Sequence, residues 1–129
     1  MCQDVQATTF ADNFFDLVTC TEVFEHVSDD KQAFKEMRGI LKHNGYFVFT
    51  VPLSDNPMTI ERCYIENGQI VHVLPPEYHG DHLRSKGILA FRNYGLDIVQ
   101  RLESSGFKSV YITEHTEKGI SKKVIHCIK

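Results

Sequence analysis

Between Phe14 and Pro52 the chain reads FFDLVTCTEVFEHVSDDKQAFKEMRGILKHNGYFVFTVP, and this stretch constrains the fold more than any other. Asp16–Cys20 is a short apolar run, and Tyr46–Val51 is a second, rich in aromatic and β-branched residues. Between them Ala33, Phe34, Met37, Ile40 and Leu41 recur at the spacing of one helical face. Ser28 or Asp29 is placed to cap that helix, and Asp29 with Gln32 has capping-box spacing. Asn44-Gly45 is the expected left-handed stop. Two buried strands joined by a helical crossover make a right-handed βαβ unit, so the sheet is at least partly parallel.

Asp4, Phe10, Phe15-Asp16, Glu25-His26, Arg38, Leu41-Lys42 and Gly45 follow one another in an ordered series. In that order they resemble the second half of a class I S-adenosylmethionine-dependent methyltransferase of the broad small-molecule ("type 11") group. The family pattern is an acidic residue, a Pro-Phe turn, Phe-Asp and an apolar strand, then Glu-His, a helix ending Arg-x-Leu-Lys-Pro-Gly-Gly, and another strand. This chain departs from it at Thr9, where the family has proline, and at His43-Asn44, where it has Pro-Gly. Both departures fall in turns, and Asn tolerates the left-handed conformation. The resemblance spans residues 2–52 and, more weakly, 75–107.

The resemblance implies an α/β fold: a partial Rossmann-like methyltransferase sheet, strands four to seven. The eight glycines include no G-x-G pair, and nothing before Asp4 has room for a strand, loop and helix. The family's first two βα units, with their glycine loop and ribose-binding acid, are therefore expected to be missing. On this reading residues 1–129 are one incomplete domain, a fragment, with 53–94 an insertion covering the substrate side.

Composition narrows the function classes. Its 129 residues suffice for one domain with a core. A net charge of −3 with mixed signs lacks the basic stripe of a nucleic-acid binder. No apolar run is long enough to cross a bilayer, and the N-terminus has no basic-then-apolar signal segment. Cys2, Cys20, Cys63 and Cys127 are scattered without a CxxC pair, which fits a reducing cytoplasm.

Further along, Ile60–Tyr64 and Gln69–Leu74 flank Glu66-Asn67-Gly68, a hairpin signal that Pro75-Pro76 ends. Leu96, Ile98, Val99 and Leu102 mark a short amphipathic helix closed by Gly106, with Phe107 folding back on it. Ser109–Thr113 and Lys123–Ile128 read as an antiparallel edge pair separated by a polar loop, Glu114–Ser121.

Ligands of open α/β sheets gather at the carboxyl ends of the strands. The resemblance places Asp4 against the adenine amino group, with the Val5 N–H donating to a ring nitrogen. It makes Cys20, Thr21 and Glu22 the turn where cofactor and acceptor meet. His26, with His79 and His82 in the insertion, are the candidate catalytic groups. Glu22, Glu25 and His26 fall at i, i+3, i+4, one face of a helical turn, a donor set that suits Mg²⁺ or Mn²⁺ and less often Zn²⁺. That spacing resembles the metal-binding turn of ubiquinone-pathway O-methyltransferases and small-RNA 2′-O-methyltransferases, with His79 or His82 as a fourth ligand. Type 11 members with the same Glu-His and no metal supply the other reading, a histidine that faces the pocket or orders the turn.

The expected function is methyl transfer from S-adenosylmethionine to a small-molecule acceptor, with most cofactor contacts supplied by the missing half. A non-catalytic remnant acting by association is the alternative, and a Rossmann-like domain for a different nucleotide is a third. Loss of the first strand would bare the Asp16–Cys20 edge, which predicts a homodimer through that edge.

Overall fold

The computed structural model describes residues 1–129. Its elements begin with β1 (Phe15–Thr21), a 3₁₀ turn (Phe24–His26), α1 (Asp30–Ile40) and β2 (Leu41–Thr50). Six short strands follow: β3 (Ile60–Glu61), β4 (Cys63–Glu66), β5 (Gln69–His72), β6 (Tyr78–Asp81), β7 (Arg84–Leu89) and β8 (Arg92–Asn93). The chain closes with α2 (Ile98–Ser104), β9 (Ser109–Glu117) and β10 (Ile120–Ile128). The main sheet runs β1-β2-β10-β9, with β1 and β2 parallel and the rest antiparallel. The βαβ unit is thus present, and β1 lies at the edge of the sheet with its outer side unpaired. No helix is long and apolar enough to cross a membrane.

One core lies on one face of this sheet. Phe47 and Phe49 of β2 and Ile125 and Cys127 of β10 point into it. Phe34 and Met37 of α1, with Ile98 and Leu102 of α2, cover them. Alternate β2 residues face the other way, and Tyr46 there is exposed. Phe24 stacks on Phe34 at 5.0 Å and so anchors the 3₁₀ turn to α1. Asp29 caps α1 by accepting from the Gln32 N–H at 3.0 Å. The Gln32 side chain does not complete a capping box; it donates to the Gln6 carbonyl and to Glu36.

The helix stops at Ile40, before Asn44-Gly45. Tertiary donors take over its last carbonyls: Asn13 N–H reaches Gly39 O, Phe14 N–H reaches Ile40 O, and Lys129 Nζ donates to Gly39 and Leu41. Asn44 does adopt a left-handed φ of 62°, but inside β2, in the stretch where its register against β1 shifts between Leu41 and Tyr46. Phe107 folds back on α2, its N–H donating to the Leu102 carbonyl.

Three other differences concern the connections. Only Cys63–Glu66 and Gln69–His72 form the Asn67-Gly68 hairpin, because Ile60–Glu61 leaves it to pair with β8. β9 and β10 continue through the stretch expected to be a polar loop, since Lys118 and Gly119 both take positive φ and make a two-residue turn. A further hairpin, β6–β7, lies within the insertion.

Candidate functional site

The turn that leaves β1 is held at several points. Glu22 has a φ of 52°, a strained value for a residue with a side chain, and its N–H donates to the Thr50 carbonyl at the end of β2. The next residues form the 3₁₀ turn, and the insertion grips it. Phe91 N–H donates to Glu25 O at 2.7 Å. The Arg92 guanidinium, only 3% exposed, donates to the Phe24, Val27 and Ser28 carbonyls and pairs with Glu61. Asp30 completes this buried group, accepting from Tyr94 Oη at 2.8 Å and Arg101 at 3.0 Å. Burial, then the Asp30 charge, pushes the Tyr94 hydroxyl well above the ordinary tyrosine range.

This bracing brings Glu25, His26 and His79 together. Their donor atoms all lie within 4.8 Å of one another. The rings of His26 and His79 meet edge to face at 4.8 Å. Glu25 is 1% exposed, and neither of its carboxylate oxygens has a hydrogen-bond partner. The nearest imidazole nitrogens are His26 Nε2 at 3.4 Å and His79 Nδ1 at 3.7 Å. Burial raises the Glu25 pKa above the usual carboxylate range, against the opposing pull of its own backbone amide and of His26.

The far side of each ring explains why Glu25 is unsatisfied. His26 Nδ1 lies 2.9 Å from the Leu89 carbonyl, and His79 Nε2 lies 3.1 Å from Glu77 Oε1. Both partners can only accept, so the hydrogen of each neutral ring sits on that outer nitrogen. The inner nitrogens then turn lone pairs toward Glu25. A carboxylate facing two lone pairs is repelled unless a proton or a cation lies among them. The cluster is therefore a built-in acceptor for positive charge. Glu77, whose oxygens also meet Asn93 and Arg62, has its carboxyl held below the usual range, first by the His79 hydrogen bond and then by Asn93.

A cavity of about 510 Å³ opens beside this cluster, lined by Glu22, Glu25, His26, Pro52, His79, Gly80 and Ile88. Glu22 thus borders the space, but it is not part of the three-residue cluster. His82 is exposed on the β6–β7 turn, away from these groups. Thr21 and Glu22 also line a second cavity of about 620 Å³ at the ends of β1 and β2, with Thr50, Pro52 and Lys123. Val5 and Cys20 line a third, apolar one of about 250 Å³ between the N-terminal segment, β1 and α1. Burial pushes the Cys20 thiol up to about 11, so it remains protonated. Asp4 is exposed, and its Oδ1 accepts from the Gln6 N–H.

Glu77 and Arg92 are the groups that sequence reasoning did not single out. Their importance comes from contacts with residues far along the chain, 68 positions for Arg92 to Phe24, and no local pattern marks them. The one available signal was that a Glu lies two residues from a candidate His.

Residues 1–49 match the model of a family described as a methyltransferase domain. An uncharacterized protein of Methanocaldococcus jannaschii is 41% identical over 56 residues, 43% of this chain and 24% of that protein. The ubiquinone biosynthesis O-methyltransferase of Coxiella burnetii is 35% identical over 49 residues, 38% of this chain and 21% of the enzyme. The same fold occurs in the Burkholderia thailandensis 1,6-didemethyltoxoflavin-N1-methyltransferase, solved with 1,6-didemethyltoxoflavin and S-adenosylhomocysteine bound. That match has a TM-score of 0.63 at 16% identity, over 97% of this chain and 48% of the other. The chain thus spans less than half the length of these relatives.

Proposed function

From the matched residues and the shared fold, which support a class I S-adenosylmethionine-dependent methyltransferase of the small-molecule type, we propose that this chain forms the acceptor side of a methyl-transfer site. The observation that carries the proposal is the buried Glu25 carboxylate, unpartnered between two imidazoles whose lone pairs face it. Such a group takes up a proton, and a protonated hydroxyl or amine acceptor has one to give.

In the proposed reaction an acceptor lone pair attacks the sulfonium methyl carbon. The new bond to carbon forms as the S–C bond breaks, and the electron pair leaves with S-adenosylhomocysteine. The acceptor proton passes to His26 Nε2 or His79 Nδ1 and is shared with Glu25. Alignment and exclusion of water contribute most to such a displacement. Residues 53–94 supply the cover, because His79, Ile88 and Leu89 reach the Glu25–His26 turn or its cavity from that segment. The relatedness to an O-methyltransferase favours a hydroxyl acceptor.

The same donor set supports a second reading, a bound divalent cation. Two imidazoles and a carboxylate with orphaned oxygens fit Zn²⁺ or Mn²⁺ better than Mg²⁺, with Glu25, His26 and His79 as the holders. A cation there would lower the pKa of an acceptor hydroxyl.

We also propose that β1, β2, β9 and β10 correspond to strands four to seven of the methyltransferase sheet, and that Asp4, Val5, Cys20, Thr21 and Glu22 border the cofactor. A glycine-loop segment not found among these residues would provide the remaining contacts. The test is a transfer assay with methyl-labelled S-adenosylmethionine and a panel of small phenols and amines, run on the longest polypeptide the gene encodes. Transfer that is lost in His26→Ala and His79→Ala is the expected result. No transfer to any acceptor overturns the proposal in favour of a non-catalytic protein acting by association.

A further inference from the structure

We propose that Glu77 is the positioning residue for His79, holding its ring so that Nδ1 faces Glu25. The inference rests on the reading of Glu25, His26 and His79 as the functional cluster, and it concerns a residue outside that cluster.

The His26 side chain is 11% exposed and its outer nitrogen meets a backbone carbonyl, so the fold itself fixes it. The His79 side chain is 29% exposed and sits on a short hairpin strand, where packing alone leaves its ring free to turn over. A flip would replace Nδ1 with a ring carbon on the side that meets Glu25. The hydrogen bond from Nε2 to Glu77 Oε1, at 3.1 Å, selects against that flip.

Glu77 is itself held in place. Its Oε1 also accepts from Asn93 Nδ2 at 3.0 Å, and its Oε2 pairs with Arg62 Nη1 at 3.2 Å. Arg62 is tied in turn to Asn93 Oδ1 at 2.9 Å and to the Pro75 carbonyl at 2.8 Å. The Ala90 N–H donates to the Glu77 carbonyl. Arg62, between β3 and β4, and Asn93 of β8 therefore set the carboxylate in position, and the carboxylate sets the imidazole. Outer groups of this kind orient imidazoles that serve as ligands or bases.

The test is nitrogen-15 NMR of the histidine rings, above the ordinary imidazole pKa of about 6.5. In the unmodified protein His79 should be one tautomer, with hydrogen on Nε2 and a deshielded, slowly exchanging Nε2–H signal. Glu77→Gln keeps an acceptor oxygen and should retain that signal at a shifted position. Glu77→Met keeps the bulk without the acceptor, and should lose the signal to solvent exchange while the ring shifts move toward an average of two tautomers. Asn93→Ala removes one of the two side chains that hold Glu77 and should weaken the His79 signal without abolishing it, since Arg62 still pairs with Oε2. If Glu77→Met does not fold, an unchanged His79 signal in Glu77→Gln overturns the proposal, as does an averaged tautomer in the unmodified protein. The readout is independent of turnover. A protein with the expected His79 signals and no methyl transfer would overturn the functional reading and leave the positioning role standing.

Discussion

The His26 and His79 rings meet edge to face with their centroids 4.8 Å apart, and the Glu25 carboxylate is buried against both. One ring comes from the turn after β1 and the other from a hairpin in the insertion. The site therefore exists only while these two segments are docked, and its chemistry and stability are linked.

The first prediction concerns pH. Burial raises the Glu25 pKa in the folded state, so the native protein binds this proton more tightly than the unfolded chain does. That contribution is fully present below the unfolded pKa and is lost as pH rises through the folded pKa. Glu25→Gln removes the charge that must otherwise form in a buried position. With chelator present, the variant should be more stable than the parent near neutral pH, by about 1–3 kcal/mol, and the gap should close on acidification. Urea denaturation over a pH series measures it, and a gap that widens on acidification contradicts the assignment.

Arg92 tests the bracing of the turn. Replacing it with Met takes this donor from the Val27 and Ser28 carbonyls, leaves Phe24 O with only the longer bonds from Val27 N–H and Tyr94 Oη, and removes a charge facing Asp30. A loss of about 3–5 kcal/mol is expected, the usual cost of breaking a buried pair from one side. Arg92→Lys restores the charge but not the fork, and should recover only part of the loss. Thermal or urea unfolding reads both.

Cofactor affinity is the third measurement. The sequence has no G-x-G pair, and of the expected cofactor-side residues Val5 and Cys20 border one cavity, Thr21 and Glu22 another, and Asp4 neither. Calorimetry of this chain with S-adenosylmethionine should show weak binding or none. Micromolar binding would mean that these cavities suffice.

The outer edge of β1 is the basis of the fourth prediction. It has no strand partner, and Leu17 on it is 55% exposed. A strand edge of this kind pairs readily with a second copy. Light scattering at micromolar concentration should show mass above the 14.8 kDa of one chain, and Leu17→Lys should lower it. A concentration-independent monomer would contradict the homodimer expectation.

The βαβ unit was legible from residue order because its determinants are local. The apolar spacing of Ala33, Phe34, Met37 and Ile40 follows from helical geometry, and Phe47 and Phe49 face the core because a strand alternates sides. Asn67-Gly68 marked its turn for the same reason, while Lys118-Gly119 carries a weaker signal, and the expected antiparallel pair runs on through the polar segment to that turn. The end of α1 was misplaced because Lys129 and the Asn13–Phe14 segment, remote in sequence, satisfy its carbonyls.

The site divides along the same line. Glu25-His26 stood out in the sequence, since adjacent residues on one turn can be read together, and His79 stood out as a candidate group. Their convergence depended on tertiary structure. Arg92 and Leu89 must reach back more than 60 residues to fix the turn, and the β6–β7 hairpin must bring His79 over Glu25. Spacing along the chain sets which face of its own element a side chain occupies. Which groups from different elements meet is decided by the packing of the whole fold, and so Glu22 and His82, plausible by spacing, lie outside the cluster while Glu77, unmarked in the sequence, supports it.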